Sequence, residues 1–146
     1  GMGDLLNSVT PKMYQGELIK AAGGKLVSED LGDTYWVKVS PEQMQVYNPE
    51  VILLAADSRF TPADWYADTS YSNLTAIKNE EVYLFPSTID YWDTPSPTAC
   101  LALVWLANQL HPELVPADVV EGYVTDYYST FFGVDVTMES LGITLK

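Results

Sequence analysis

The most constraining feature of this chain is a helix with almost no polar side. From Thr98 to Ala107 it reads Thr-Ala-Cys-Leu-Ala-Leu-Val-Trp-Leu-Ala, and polar side chains return only at Asn108 and Gln109. A helix that is apolar nearly all round must be covered nearly all round. At about thirteen residues it is too short to cross a bilayer, so it belongs in a core, with Leu103 and Leu106 buried. Ser96 is placed to cap its start and Pro97 to occupy its first turn, where a missing N–H costs nothing. His111-Pro112 stops it, because proline drives the preceding residue out of helical geometry. Upstream lie a short apolar strand, Val82 to Phe85, and a loop, Thr88 to Pro95, crowded with aromatics and carboxylates.

A core of this kind needs a chain long enough to surround it. The 146 residues suffice for one domain, and 47% apolar content argues against disorder. Twenty acids against seven bases leave a net charge of −13, which repels nucleic acid and anionic lipid and also serves solubility. The single cysteine, Cys100, excludes an intramolecular disulfide and a zinc site built of cysteines, and its apolar neighbours mark it as a core thiol. No signal-peptide or membrane-span pattern is read. Gly1-Met2 reads as a tag remnant, with residues 1–12 as remnant and leader and 13–146 as the domain.

Along the chain, helical and extended patterns alternate. Tyr14 to Ala22 reads as a helix with Leu18 and Ile19 inward, ended by Gly23-Gly24, and Lys25 to Val27 as a short strand. Tyr35 to Val39 is extended and aromatic. Ser40-Pro41-Glu42-Gln43 opens a helix that Asn48-Pro49 breaks. Val51 to Ala56 suits a buried parallel strand. Thr61-Pro62 with Asp64 opens another helix, Leu74 to Lys78 forms a helical turn, and Glu81 to Phe85 the next strand. A last long helix starts at Pro116, with Val119, Val120, Tyr123, Tyr127 and Phe131 on one face, and Thr137 caps a final turn. The expected fold is a single three-layer α/β lobe with a mostly parallel sheet flanked by helices. Ligands in such sheets sit outside the strand carboxyl ends, here Asp57–Phe60 and Thr88–Pro95.

No catalytic constellation is spelled out. One histidine, His111, rules out a His-rich metal site, and its position predicts interaction with the last helix carbonyls. GxSxG, Walker A and GxGxxG motifs are absent from the sequence. Asp57, Asp90 and Asp93 could meet at the strand edge for acid–base work, though so acidic a chain brings carboxylates together by chance. The loop aromatics carry more: Tyr35, Trp36, Phe60, Tyr91 and Trp92 can stack on a planar ligand or simply pack under loops. Arg59, directly after a strand, can pair with an anionic ligand group or a neighbouring acid.

An ordered series of short motifs then emerges. Glu17-Leu18-Ile19 leads to Gly23-Gly24, then WVKVSPEQ from Trp36 to Gln43, then Asn48-Pro49-Glu50-Val51-Ile52. LTAIKNEEVY from Leu74 to Tyr83, Tyr91-Trp92 with Pro95-Ser96-Pro97, Trp105-Leu106-Ala107 and Leu110-His111-Pro112-Glu113 complete it. In order and spacing over roughly residues 13 to 133, the series resembles the C-terminal lobe of the substrate-binding proteins of ABC importers for iron–siderophores, haem and cobalamin. Such proteins bind ligand between two α/β lobes and do no chemistry. The resemblance implies ligand contacts at Trp36, Arg59, Tyr91 and Trp92, and no catalytic residue, metal site or cofactor. It implies a carboxylate at Glu42 that docks an arginine pocket on the permease, and an extracytoplasmic location. The family's other lobe, its connecting helix and the strand that opens this lobe are not read here, so the chain is an excised piece or a natural half-protein. Two rivals stand beside this reading: an interaction module that self-associates through the same edge, and a small enzyme using the aspartates.

Overall fold

The computed structural model describes residues 6–32 and 34–146. Its elements are, in order, β1 (Asn7–Val9), α1 (Tyr14–Ala21), β2 (Trp36–Lys38), α2 (Pro41–Tyr47), β3 (Ile52–Leu54) and α3 (Pro62–Ala67). A 3-10 turn (Thr69–Tyr71), α4 (Thr75–Lys78), β4 (Val82–Leu84), α5 (Ala99–Leu110) and α6 (Ala117–Phe132) follow. The α/β class holds. The parallel pairing is met in β3 and β4, with Ile52 opposite Val82 and Leu54 opposite Leu84. The other pair, β1 with β2, is antiparallel. Two compact units divide the chain: Gly1–Glu17 with Leu26–Phe85, and Leu18–Lys25 with Pro86–Lys146.

In the first unit, part of the opening segment read as a leader is a strand. Asn7–Val9 pairs with β2, and the Val39 N–H donates to Leu6 O at 2.9 Å. A strand therefore precedes the first helix. Asn7 and Ser8 concealed it, since they are polar and three residues give no apolar alternation to read. Lys25 to Val27, in contrast, is not a strand. The unit's core gathers Leu6, Ile52, Leu54, Trp65, Tyr71, Leu74, Ala76 and Val82. Its helices are short and stopped by local chemistry. Ser40 Oγ accepts the Gln43 N–H at 3.1 Å and Pro41 opens α2. Asn48 ends α2 in the left-handed region at φ 40°, and its Oδ1 accepts the Thr75 N–H at 2.8 Å, thereby capping α4. Thr61 and Asp64 form the capping box of α3.

In the second unit, α5 packs against α6. The buried residues of α5 are Leu101, Ala102, Trp105, Leu106, Asn108 and Gln109. Leu106 is buried as expected, but Leu103 is 36% exposed and Cys100 is exposed too, its Sγ 3.4 Å from Pro97 O. An all-apolar sequence does not tell which side of a helix its neighbours reach, and here the side bearing Cys100 and Leu103 is left open. The inward face of α6 is Val120, Val124 and Tyr128, whereas Val119, Tyr123 and Phe131 are exposed. The start of α5 also differs from expectation. Its helical residues begin at Ala99, and Ser96 Oγ pairs with Thr98 Oγ1 at 2.9 Å instead of capping.

The C-terminal tail is held by α5 side chains. Trp105 Nε1 and Gln109 Nε2 donate to Thr144 O at 3.2 and 2.9 Å. Asn108 Nδ2 donates to Val115 O and Lys146 O, while its Oδ1 accepts the Lys146 N–H at 3.0 Å. His111 ends α5, but its Nε2 lies 3.4 Å from Gly23 O rather than on the last α5 carbonyls. Gly23 has φ +85°, and a Cβ there would meet His111 Nε2 at 2.8 Å. The left-handed conformation favours glycine there, and an added Cβ would have to displace the partly exposed His111 ring.

Candidate functional site

Each unit carries exposed residues that the sequence singled out. In the first, the loop after β3 is built around Ser58, whose hydroxyl accepts the Phe60 N–H at 3.1 Å and donates to Phe60 O at 2.9 Å. This tight turn leaves Arg59 and Asp57 exposed. On β2, Trp36 is 37% exposed, and the neighbouring Tyr35 is exposed as well. On α2, which buries none of its residues, Glu42 is exposed in the first turn. Its own backbone N–H and then the Ser40 hydroxyl hold its carboxyl below the usual carboxylate range. Among the described residues Glu42 makes no ion pair.

In the second unit, the stretch concerned is the loop of residues 86–98. Tyr91 is 46% exposed, whereas Trp92 is only 2% exposed and its backbone N–H donates to Pro86 O at 3.1 Å. Of this aromatic pair, one ring faces solvent and the other anchors the loop. Asp90 Oδ1 accepts the Tyr91 N–H, and its Oδ2 accepts the Thr98 hydroxyl, both at 2.8 Å. The Thr98 hydroxyl first, then Ser96 and the Tyr91 N–H, hold the Asp90 carboxyl below its ordinary range. The loop's other hydroxyls are used too: Thr94 donates to Tyr91 O at 2.8 Å and Thr88 to Leu141 O at 2.6 Å.

This network escaped sequence reading, because Asp90 and Thr98 lie eight residues apart in irregular backbone, where no periodicity links them. Asp93 is buried, unlike Asp57 and Asp90. Among the described residues no group of three or more His, Cys, Asp or Glu side chains could hold a metal ion, so the three aspartates do not form one. No described helix is long and apolar enough to cross a membrane.

Comparison with known proteins adds the class. No family model matches the chain. It is 32% identical over 96 residues to the molybdate-binding protein MolA of Haemophilus influenzae, covering 65% of this chain and 27% of that protein. The structure of MolA bound to molybdate superposes with a TM-score of 0.76 at 28% identity, over 90% of this chain and 40% of that one. This chain has the fold of one lobe of the ABC-transporter solute-binding proteins. An ABC transporter solute-binding protein from Sulfurospirillum deleyianum matches the lobe with a TM-score of 0.79 at 29% identity, over 93% of this chain and 42% of that one. A periplasmic solute-binding protein from Veillonella parvula shares the fold, with a TM-score of 0.85 at 24% identity over 96% of this chain and 44% of that one. The lobe spans less than half the length of each relative. These relatives are binding proteins, not enzymes, which sets aside the small-enzyme reading. MolA and the Veillonella protein are periplasmic, and the lobe is accordingly assigned outside the cytoplasm.

Proposed function

We propose that this lobe is the C-terminal half of the solute-binding component of an ABC importer, and that its ligand is a ferric siderophore, haem or a corrinoid. The identity to MolA over 96 residues carries the importer reading. The ligand class is the one that the resemblance implies, and three exposed side chains are compatible with it: the rings of Trp36 and Tyr91 offer flat apolar faces, and Arg59 offers a partner for a carboxylate or catecholate group. Trp92, being buried, supports its loop from within. We further assign residues 6–146 to the lobe, with β1 as part of it rather than leader. Glu42 is the permease-docking carboxylate, a reading supported by its exposure and by its ionised state at neutral pH.

A second reading draws on what MolA binds. A compact oxyanion such as molybdate would seek Arg59 and would not need the rings. Titrating hemin, a ferric catecholate, cobalamin and molybdate into the chain, followed by tryptophan fluorescence and calorimetry, separates the two. Weak binding of one large complex is expected, on the order of 0.1–1 mM for a single lobe, reduced by Trp36→Ala and Tyr91→Ala. Heat from molybdate alone, abolished by Arg59→Ala, favours the oxyanion. Silence from all four ligands, with the lobe alone and with the other lobe supplied, would overturn both. With the other lobe and the permease supplied, Glu42→Ala should weaken complex formation and leave ligand affinity unchanged.

A further inference from the structure

Tyr91 combines a fully engaged backbone with an unused ring. Its N–H is taken by Asp90 Oδ1 at 2.8 Å, and its carbonyl accepts the Thr94 hydroxyl at 2.8 Å and the Thr94 N–H at 3.4 Å. Asp90 is itself fixed, since its second oxygen accepts the hydroxyl of Thr98, which is 3% exposed at the start of α5 and shares a hydrogen bond with Ser96. The following residue, Trp92, is buried. No ring contact or hydrogen bond among the described residues uses the Tyr91 side chain, which is 46% exposed. Here the backbone is gripped on both sides while the ring is left idle.

We infer that Asp90 and Thr94 are positioning residues that hold Tyr91 ready for the solute. The inference rests on the reading of Tyr91 as a ligand contact. The physical gain is preorganisation: a residue whose backbone is already held loses less conformational freedom on binding. Asp90 suits the task because an ionised carboxylate accepts from two donors at once, and charge-assisted hydrogen bonds are stronger than neutral ones. Its charge also stands beside the start of α5, a helix with no acidic residue in its own first turn.

The test labels position 91 with 3-fluorotyrosine and records its fluorine NMR signal. In the unaltered chain the signal should be broad and displaced from that of free fluorotyrosine. Asp90→Ala and Thr94→Val should each sharpen it and move it toward the free value. Thr88→Val, which removes a bond from the same loop to Leu141 O, should leave it in place. Asp90→Asn keeps one acceptor oxygen and should give an intermediate shift, so the effect can be read even where the alanine variant folds poorly. A Tyr91 signal that is unchanged in both Asp90→Asn and Thr94→Val overturns the positioning role. Hemin titration separates this failure from failure of the ligand reading. Asp90→Ala should weaken hemin binding by about 3- to 10-fold, the scale of re-ordering one side chain and its loop. A loosened ring with hemin affinity unchanged in Asp90→Ala and Tyr91→Ala supports the positioning and overturns Tyr91 as the contact.

Discussion

The two units solve the same problem with different chemistry. The first satisfies its backbone through paired strands and capped helix ends: β1 with β2, β3 with β4, and Ser40, Asn48, Thr61 and Asp64 at the helix termini. The second has no strand among its described residues. Its tail instead borrows donors and an acceptor from Trp105, Asn108 and Gln109, the latter two almost wholly buried. Backbone pairing repeats along a chain and tolerates substitution, because no side chain makes the bond. A tail clamped by amide side chains depends on particular residues, and each carries more of the load.

Core deletions should show the largest effects and should not distinguish the units. Leu106→Ala in the second unit and Leu74→Ala in the first, both essentially buried, should each cost about 2–5 kcal/mol in denaturant unfolding. Leu103→Ala, on the open side of α5, should cost less than about 1 kcal/mol. Equal losses at Leu103 and Leu106 would mean that α5 is covered all round after all.

The clamp should come next, and here the units should part. Asn108→Ala removes bonds to Val115 and Lys146 and should cost about 1–3 kcal/mol, with faster hydrogen exchange at the Lys146 amide. Gln109→Ala should cost less, because the Gln109 Oε1 is buried without a hydrogen-bond partner. A larger loss at Gln109 than at Asn108 would reverse this ranking.

The smallest effect concerns the capping box of α3. The Thr61 N–H, and then its hydroxyl, depress the Asp64 pKa. A depressed carboxylate contributes stability above its unfolded pKa, and that contribution is lost as pH falls through the folded value. In an NMR titration the α3 amide signals should therefore hold through the ordinary carboxylate range and change only below it. A midpoint at the ordinary aspartate value would show that the box is not formed in solution.

Where the controlling interaction was local the sequence was mostly legible, the start of α5 being the exception. The Ser40-Pro41 start, the Asn48 stop, the Thr61–Asp64 box and the apolar runs of β3 and β4 each answer to neighbours within a few residues. The family resemblance came from the same short segments, and the lobe fold agrees with it. The candidate site was only half legible. That residues 88–95 would form an aromatic, acidic loop was plain, but which ring would face outward was not, since Tyr91 and Trp92 are adjacent and differ only in what packs around them.

Composition and short-range pattern by themselves determined the α/β class, most of the helix ends, the strongly acidic character and the absence of a cysteine-built site. Tertiary structure decided the side of α5 that is covered, the outward turn of Tyr123 and Phe131, the Asp90–Thr98 bond and the employment of Asn108 and Gln109 as buried clamps. The physical reason is range. Caps and periodicities act over three or four residues, whereas the Asn108 bond to Lys146 closes over thirty-eight and exists only once the tail has returned to α5.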